Sequence, residues 1–325
     1  MKGFISKGLH PFWVILLLLA FMIGGYFVAT FLVTLLADWF FGVGIFELMD
    51  VAANPASHPQ GPNVMLLLQG VLQFISFIIG PLILLRVLGY DISSYLSWKV
   101  SPSFLLVLLS GLLVVLIMPA NSAIINWNAN LNFPDFMEGF ERWAREQEDS
   151  LAEVMKLITR FDTVSSLLIG LVVFAVIPAV GEELVFRGIV QRQFLSWLGN
   201  PHVAIWLAAI IFGAIHVQFF GFFPRVLLGA LFGYLYFWSG RIIIPIVAHF
   251  VNNGFTVFML YLNQTRTIEA DIESTEAMPL YAIAISLILS AAVIYFLYQR
   301  FSGLPVRPES ATEVTEEEQS HHYNS

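Results

Sequence analysis

The sequence predicts an all-α, polytopic membrane protein with about eight transmembrane helices. Of its 325 residues, 58% are apolar and only 12% are charged, with a mean hydropathy of +0.79. A soluble domain is about a quarter charged. The apolar residues fall into segments at about 12–37, 64–88, 103–125, 164–186, 202–219, 225–239, 242–262 and 278–298. Most of these reach the ~20 residues that a helix needs to cross hydrocarbon. The sequence contains no series of alternating segments of roughly ten residues, as a membrane barrel requires, and open strands cannot span a bilayer.

The elements follow in order. Residues 1–11 form a short N-terminus. The first apolar run follows Lys2 and Lys7 but continues to about Ala37, too long for a signal-peptide core, and no clear cleavage site follows, so it reads as a retained span. It opens a group of three N-terminal helices over 12–125. In the 41–63 connection, Asn54-Pro55 and Gly61-Pro62 read as turns. Segment 126–163 holds eight acids and four bases. Phe136, Phe140, Trp143, Leu151, Met155 and Ile158 recur there at helical spacings, which predicts one or two amphipathic helices on the membrane surface. Residues 164–262 form a second helix bundle, and 263–300 a loop with the last span. Residues 301–325 form an acidic tail, read as disordered, in which Glu309, Glu313, Glu316, Glu317 and Glu318 occur without a base.

Nine of the fifteen Lys and Arg residues fall on the side of the termini, and four of the other six lie in 126–163. The positive-inside rule therefore places both termini in the cytoplasm and 126–163 outside it. The absence of cysteine excludes disulfides, thiolate metal sites and a cysteine nucleophile. No basic patch with interleaved aromatics points to nucleic acid.

Ionisable groups inside spans are costly and mark function, and here they cluster in one stretch of the chain. Glu182 and Glu183 follow the apolar run Leu167–Val180, and Arg187 lies four residues after Glu183, the favoured order for an ion pair on one helix face. Glu182 points about 100° away from Glu183 and is left to face elsewhere. An unpaired carboxylate in a low-dielectric site suits a general base. His216 stands four residues after Phe212, and Asn253 four after His249. Gly199-Asn200-Pro201 reads as a turn. Glu182 lies 18 residues before Asn200 and His216 lies 16 after it, so antiparallel helices bring both to similar depth. His249 agrees with that depth if the Arg187–Trp197 stretch projects ~10 Å beyond the membrane. Pro178 and Pro245 each stand four residues before a key group, where each frees a carbonyl and favours a kink.

The three groups Glu182-Glu183-x-x-x-Arg187, Phe212-x-x-x-His216 and His249-x-x-x-Asn253 resemble, in this order, the CPBP family of intramembrane proteases (CAAX proteases and bacteriocin-processing enzymes, also called Abi). The resemblance covers about 165–262. It implies hydrolysis of a peptide bond in a membrane-associated peptide or protein, with Glu182 activating water helped by His216, and His249 and Asn253 stabilising the oxyanion. Glu183 and Arg187, with Phe212, would support the site. If the enzyme uses a divalent metal such as zinc, His216, His249 and Glu182 would hold it; a metal-free glutamate mechanism is the other reading. The sequence has no His-Glu-x-x-His, no second aspartyl motif and no Gly-x-Ser-x-Gly. Two alternatives stand beside the protease: a non-catalytic membrane partner, such as a bacteriocin-immunity or scaffold protein, and a proton-coupled transporter using Glu182, His216 and His249. The short chain and lean loops point to a bacterial inner membrane.

Overall fold

The computed structural model describes residues 8–98, 103–269, 271, 272 and 274–302. The expectations for Lys2, Lys7 and the acidic tail fall outside them. Helix α1, Pro11–Phe41, starts with proline in its first turn, where the missing N–H costs nothing, and ends at Gly42 in the left-handed region (φ 66°). The 41–63 connection is more than turns. It holds helix α2, Ile45–Ala53, whose Gly44 N–H is met by the Glu47 carboxylate at 3.3 Å. Helix α3, Gly61–Val87, returns across the bundle, and the short α4, Ile92–Tyr95, is capped by Asp91. Helix α5, Phe104–Ala129, is interrupted by Pro119. The Ser286 hydroxyl from the last helix inserts at that point, taking the Ala120 N–H at 3.1 Å and donating to the Leu116 carbonyl at 2.6 Å.

The charged segment folds as one amphipathic helix, α6, Glu138–Ile158, preceded by a single turn. Glu141 braces its start by accepting the Phe133 N–H at 2.9 Å and the Arg145 guanidinium at 2.8 Å. These two donors, the Phe133 N–H foremost, hold its carboxyl below the usual glutamate range. Helix α7, Val164–Leu198, is continuous for 35 residues. The expected end near Phe186 is passed because the polar residues beyond it are paired inside the protein. Arg187 donates to the Gly229 carbonyl at 2.6 Å and Gln191 to the Gly233 carbonyl at 3.1 Å, while Arg192 donates to the Tyr95 carbonyl and lies 4.0 Å over the Tyr95 ring. Gly199 (φ 67°) then turns the chain and Asn200 caps α8, Pro201–Ala214. Helices α9, Phe222–Ser239, α10, Ile243–Gln264, and α11, Leu280–Ser302, complete the bundle.

Among the described residues, seven helices are long and apolar enough to cross a membrane: α1, α3, α5, α7, α9 with the turn before it, α10 and α11. The expected fifth span, α8, is shorter, at 14 residues. Helix α7 is central. Its Ala179 and Leu184–Val190 stretch packs with Val14 and Leu18 of α1, Leu84 and Leu85 of α3, Phe212 of α8 and Ile246 of α10. A second core joins α5, α9, α10 and α11 around Leu113, Phe232, Ala248 and Leu297. Gly181 permits the close crossing of α3 and α7, since a β-carbon there would stand 2.8 Å from Phe77 Cβ.

Candidate active site

The middle of α7 presents Glu182 and Glu183 on different faces, and both are buried, at 7% and 0% exposure. As the spacing predicts, Arg187 Nη1 bonds Glu183 Oε1 at 3.1 Å, and the guanidinium is 1% exposed. It lies 5.1 Å from the centre of the Phe212 ring and 5.6 Å from that of Phe232, two aromatic faces that offset part of the cost of burying a cation.

Glu183 has a second partner that the sequence did not reveal. His249 Nδ1 lies 2.7 Å from the same Glu183 Oε1, and His249 Nε2 faces Glu182 Oε2 at 3.8 Å. A carboxylate only accepts, so His249 Nδ1 carries a proton and its ring is oriented with Nε2 toward Glu182. The ring, 3% exposed, is stacked on Phe232 with centroids 5.1 Å apart and stands edge-on to Phe212 at 6.1 Å. The packing therefore fixes the tilt of the imidazole and the Glu183 bond fixes its rotation.

Glu182 is not left without a partner. Gln73 on α3 donates to Glu182 Oε1 at 2.7 Å, and Gln69, one turn earlier, donates to Gln73 Oε1 at 3.2 Å. This leaves Glu182 Oε2 turned toward His249. The signal for Gln73 is two amides four residues apart in an otherwise apolar span. A sequence reading that counts only ionisable groups as out of place passes over it.

His216 lies just past the end of α8, half-buried, with Nδ1 2.8 Å from the Phe212 carbonyl. That acceptor requires a proton on Nδ1 and leaves the lone pair on Nε2. Its ring stands 5.1 Å from Phe212, the same side chain that touches His249. Arg225 on α9, unremarked in the sequence, interacts electrostatically with both Glu182 and His216 and donates to the Gln218 side chain.

Asn253 is placed differently from its neighbours. Its amide donates to the Phe174 carbonyl on α7 at 3.0 Å. That carbonyl lies in the wide-turned stretch Leu171–Val176, where the Ile177 N–H reaches back five residues to the Val172 carbonyl, just before Pro178, which has no N–H to give. Asn253 therefore gives a carbonyl of this irregular stretch a partner and ties α10 to α7 near the carboxylates. Among the described residues no three His, Cys, Asp or Glu side chains converge as a metal site requires. His216, His249 and Glu182 do not form a ligand set, and both histidines already use Nδ1.

Comparison with known proteins bears on the same stretch. The family described as type II CAAX prenyl endopeptidase Rce1-like matches residues 164–255. The membrane-embedded CAAX protease MroQ of Staphylococcus aureus is 33% identical over 95 residues, which cover 27% of this chain and 38% of MroQ. The uncharacterized protein YpbD of Bacillus subtilis is 28% identical over 104 residues, 30% of this chain and 50% of YpbD. The matched region thus spans half or less of either relative. No solved structure matches. The matched region contains both carboxylates, both histidines and Asn253, and residues 164–255 are a CPBP (CAAX protease) family region of an integral, multi-pass membrane protein.

Proposed function

We propose that the protein is an intramembrane endopeptidase that hydrolyses a peptide bond in a membrane-associated substrate, with Glu182 as the general base. The observation that carries this reading is the buried chain Arg187–Glu183–His249–Glu182, in which one carboxylate is consumed by orienting the histidine and the other faces it. A purely structural pair would need only Glu183 and Arg187.

The chemistry follows from the atoms in place. Glu182 Oε2 takes a proton from water as the water oxygen bonds to the substrate carbonyl carbon. The negative charge that develops on the carbonyl oxygen is met by His249 Nε2–H, which this reading takes from an imidazolium ring whose other N–H is given to Glu183, held in a buried, fixed site where such a donor is most effective. Glu183 supports that ring when both nitrogens are protonated. Glu182 then returns its proton to the leaving nitrogen as the C–N bond breaks. His216 Nε2, with its free lone pair, assists in removing the proton from water. Asn253 acts chiefly by fixing α10, and with it His249, against α7. No step here passes through a metal.

Both relatives are bacterial and MroQ is named as membrane-embedded, which supports a bacterial cell membrane, and the distribution of Lys and Arg supports cytoplasmic termini. The test is turnover of a quenched-fluorescent peptide library by the purified protein and by Glu182→Gln, with metal analysis of both samples. Loss of at least ~10³-fold in kcat, with unchanged elution and thermal unfolding, is the expected outcome, since the amide keeps the shape and removes the base. Equal turnover by the two proteins would exclude Glu182 as the base.

A further inference from the structure

The segment after α8 carries His216 and is held in place from outside the region that matches the family. Val217, the next residue, has φ of 52°, a left-handed conformation that a β-branched residue rarely adopts. Something beyond local preference must keep the chain there. Asn128, fully buried at the end of α5, grips the following turn twice: its Nδ2 donates to the Phe219 carbonyl at 3.2 Å and its Oδ1 accepts the Phe223 N–H at 3.0 Å. Glu148 on the amphipathic α6 accepts the Phe220 N–H at 2.6 Å, and the Arg145 guanidinium lies 4.0 Å over the Phe220 ring. Three backbone groups between 219 and 223 therefore depend on two side chains contributed by α5 and α6.

We infer that Asn128 and Glu148 are positioning residues for the hydrolytic reaction, clamping the strained 215–221 segment so that His216 is held beside Phe212, on the side chain that also meets His249. The inference rests on the peptidase reading above, and it gives the extramembrane helix a task in catalysis. Without the clamp, Val217 relaxes toward ordinary backbone angles and the His216 ring moves with it. Displacement of a catalytic group by about 1 Å can cost up to ~100-fold in rate.

Two measurements on the full chain test this: kcat and KM on a cleaved peptide, and hydrogen–deuterium exchange over 215–223. Glu148→Ala and Asn128→Ala should each speed exchange in that segment and lower kcat by roughly 10- to 100-fold, with KM changed less than about twofold. Glu148→Gln keeps an oxygen for the Phe220 N–H and should restore kcat to within about threefold. Should Asn128→Ala fail to fold, Glu148→Ala and its rescue carry the test. Faster exchange with unchanged kcat would overturn the positioning role, as would unchanged exchange. Failure of Glu148→Gln to rescue would also overturn the hydrogen-bond clamp. If the wild-type chain cleaves nothing, exchange still reports on the clamp, so failure of the peptidase reading is distinguishable.

Discussion

Glu183 Oε1 accepts from both Arg187 and His249, so one oxygen serves as ion-pair partner and histidine orienter. Arg187→Ala leaves Glu183 at depth without its guanidinium and with only His249 as partner, and breaking such a buried pair costs about 3–5 kcal/mol. The expected result is a loss of folded protein in size-exclusion chromatography. Arg187→Lys should rescue it poorly, because a single ammonium cannot reach both Glu183 and the Gly229 carbonyl. A well-folded, inactive Arg187→Ala would instead assign the arginine to the chemistry. Gln73→Leu should behave in the opposite way. It removes one donor to Glu182 while keeping an apolar contact, so folding should persist while kcat falls by about tenfold, or ~1.4 kcal/mol. Measuring both variants at equal folded concentration separates the two roles. Glu182, Glu183, Arg187 and His249 were legible in the sequence because a charge in an apolar run is conspicuous. Gln73 was not, because it meets Glu182 across 109 residues of chain and carries no charge.

At the scale of helices, the Pro178–Asn253 relation explains why a kinking residue and an amide 75 positions apart occur together. Asn253→Ala leaves the Phe174 carbonyl unsatisfied, at a cost of about 1–3 kcal/mol. Pro178→Ala adds an N–H that lets this stretch return to the regular ladder, in which residue 178 pairs with Phe174. The double variant should therefore recover most of the thermal stability that Asn253→Ala loses, giving a coupling that a double-mutant cycle reads directly. Additive losses would show that the two residues act separately. The sequence announced the free carbonyl but not what fills it, since the partner depends on how α10 crosses α7. In the same way the periodicity of 138–158 announced an amphipathic helix, while its attachment to the turn after His216 depended on the packing of Phe133, Phe219 and Phe220.

For the whole molecule, if the short α8 crosses together with the seven long helices, the number of passes is even and the start of α1 and the end of α11 lie on one side of the membrane. The chain has no cysteine, so single-cysteine variants report topology without background. Glu146→Cys on α6 should react with a membrane-impermeant maleimide added outside intact cells, and Ser196→Cys near the end of α7 only after lysis; both sites are exposed. The reverse pattern would invert the orientation that the positive charges imply. The offset between helices is large. Glu183 lies 15 residues before Leu198, and His249 only six after Ile243, so α7 extends roughly 13 Å beyond the α9–α10 turn. The sequence made this projection a condition for assembling the site, and the contact of Glu183 with His249 meets it.

The shortness of α8 has a consequence for the surrounding lipid. Its 14 residues rise only ~21 Å, against a hydrocarbon thickness of about 30 Å. Acyl chains beside Trp206 and Ile210 must therefore compress or tilt to follow the helix, and the water boundary dips toward the point where His216 lies. On the peptidase reading, a bilayer thinned at this point brings water to a membrane-associated substrate, so acyl-chain length, and not only peptide sequence, should govern how readily the two meet.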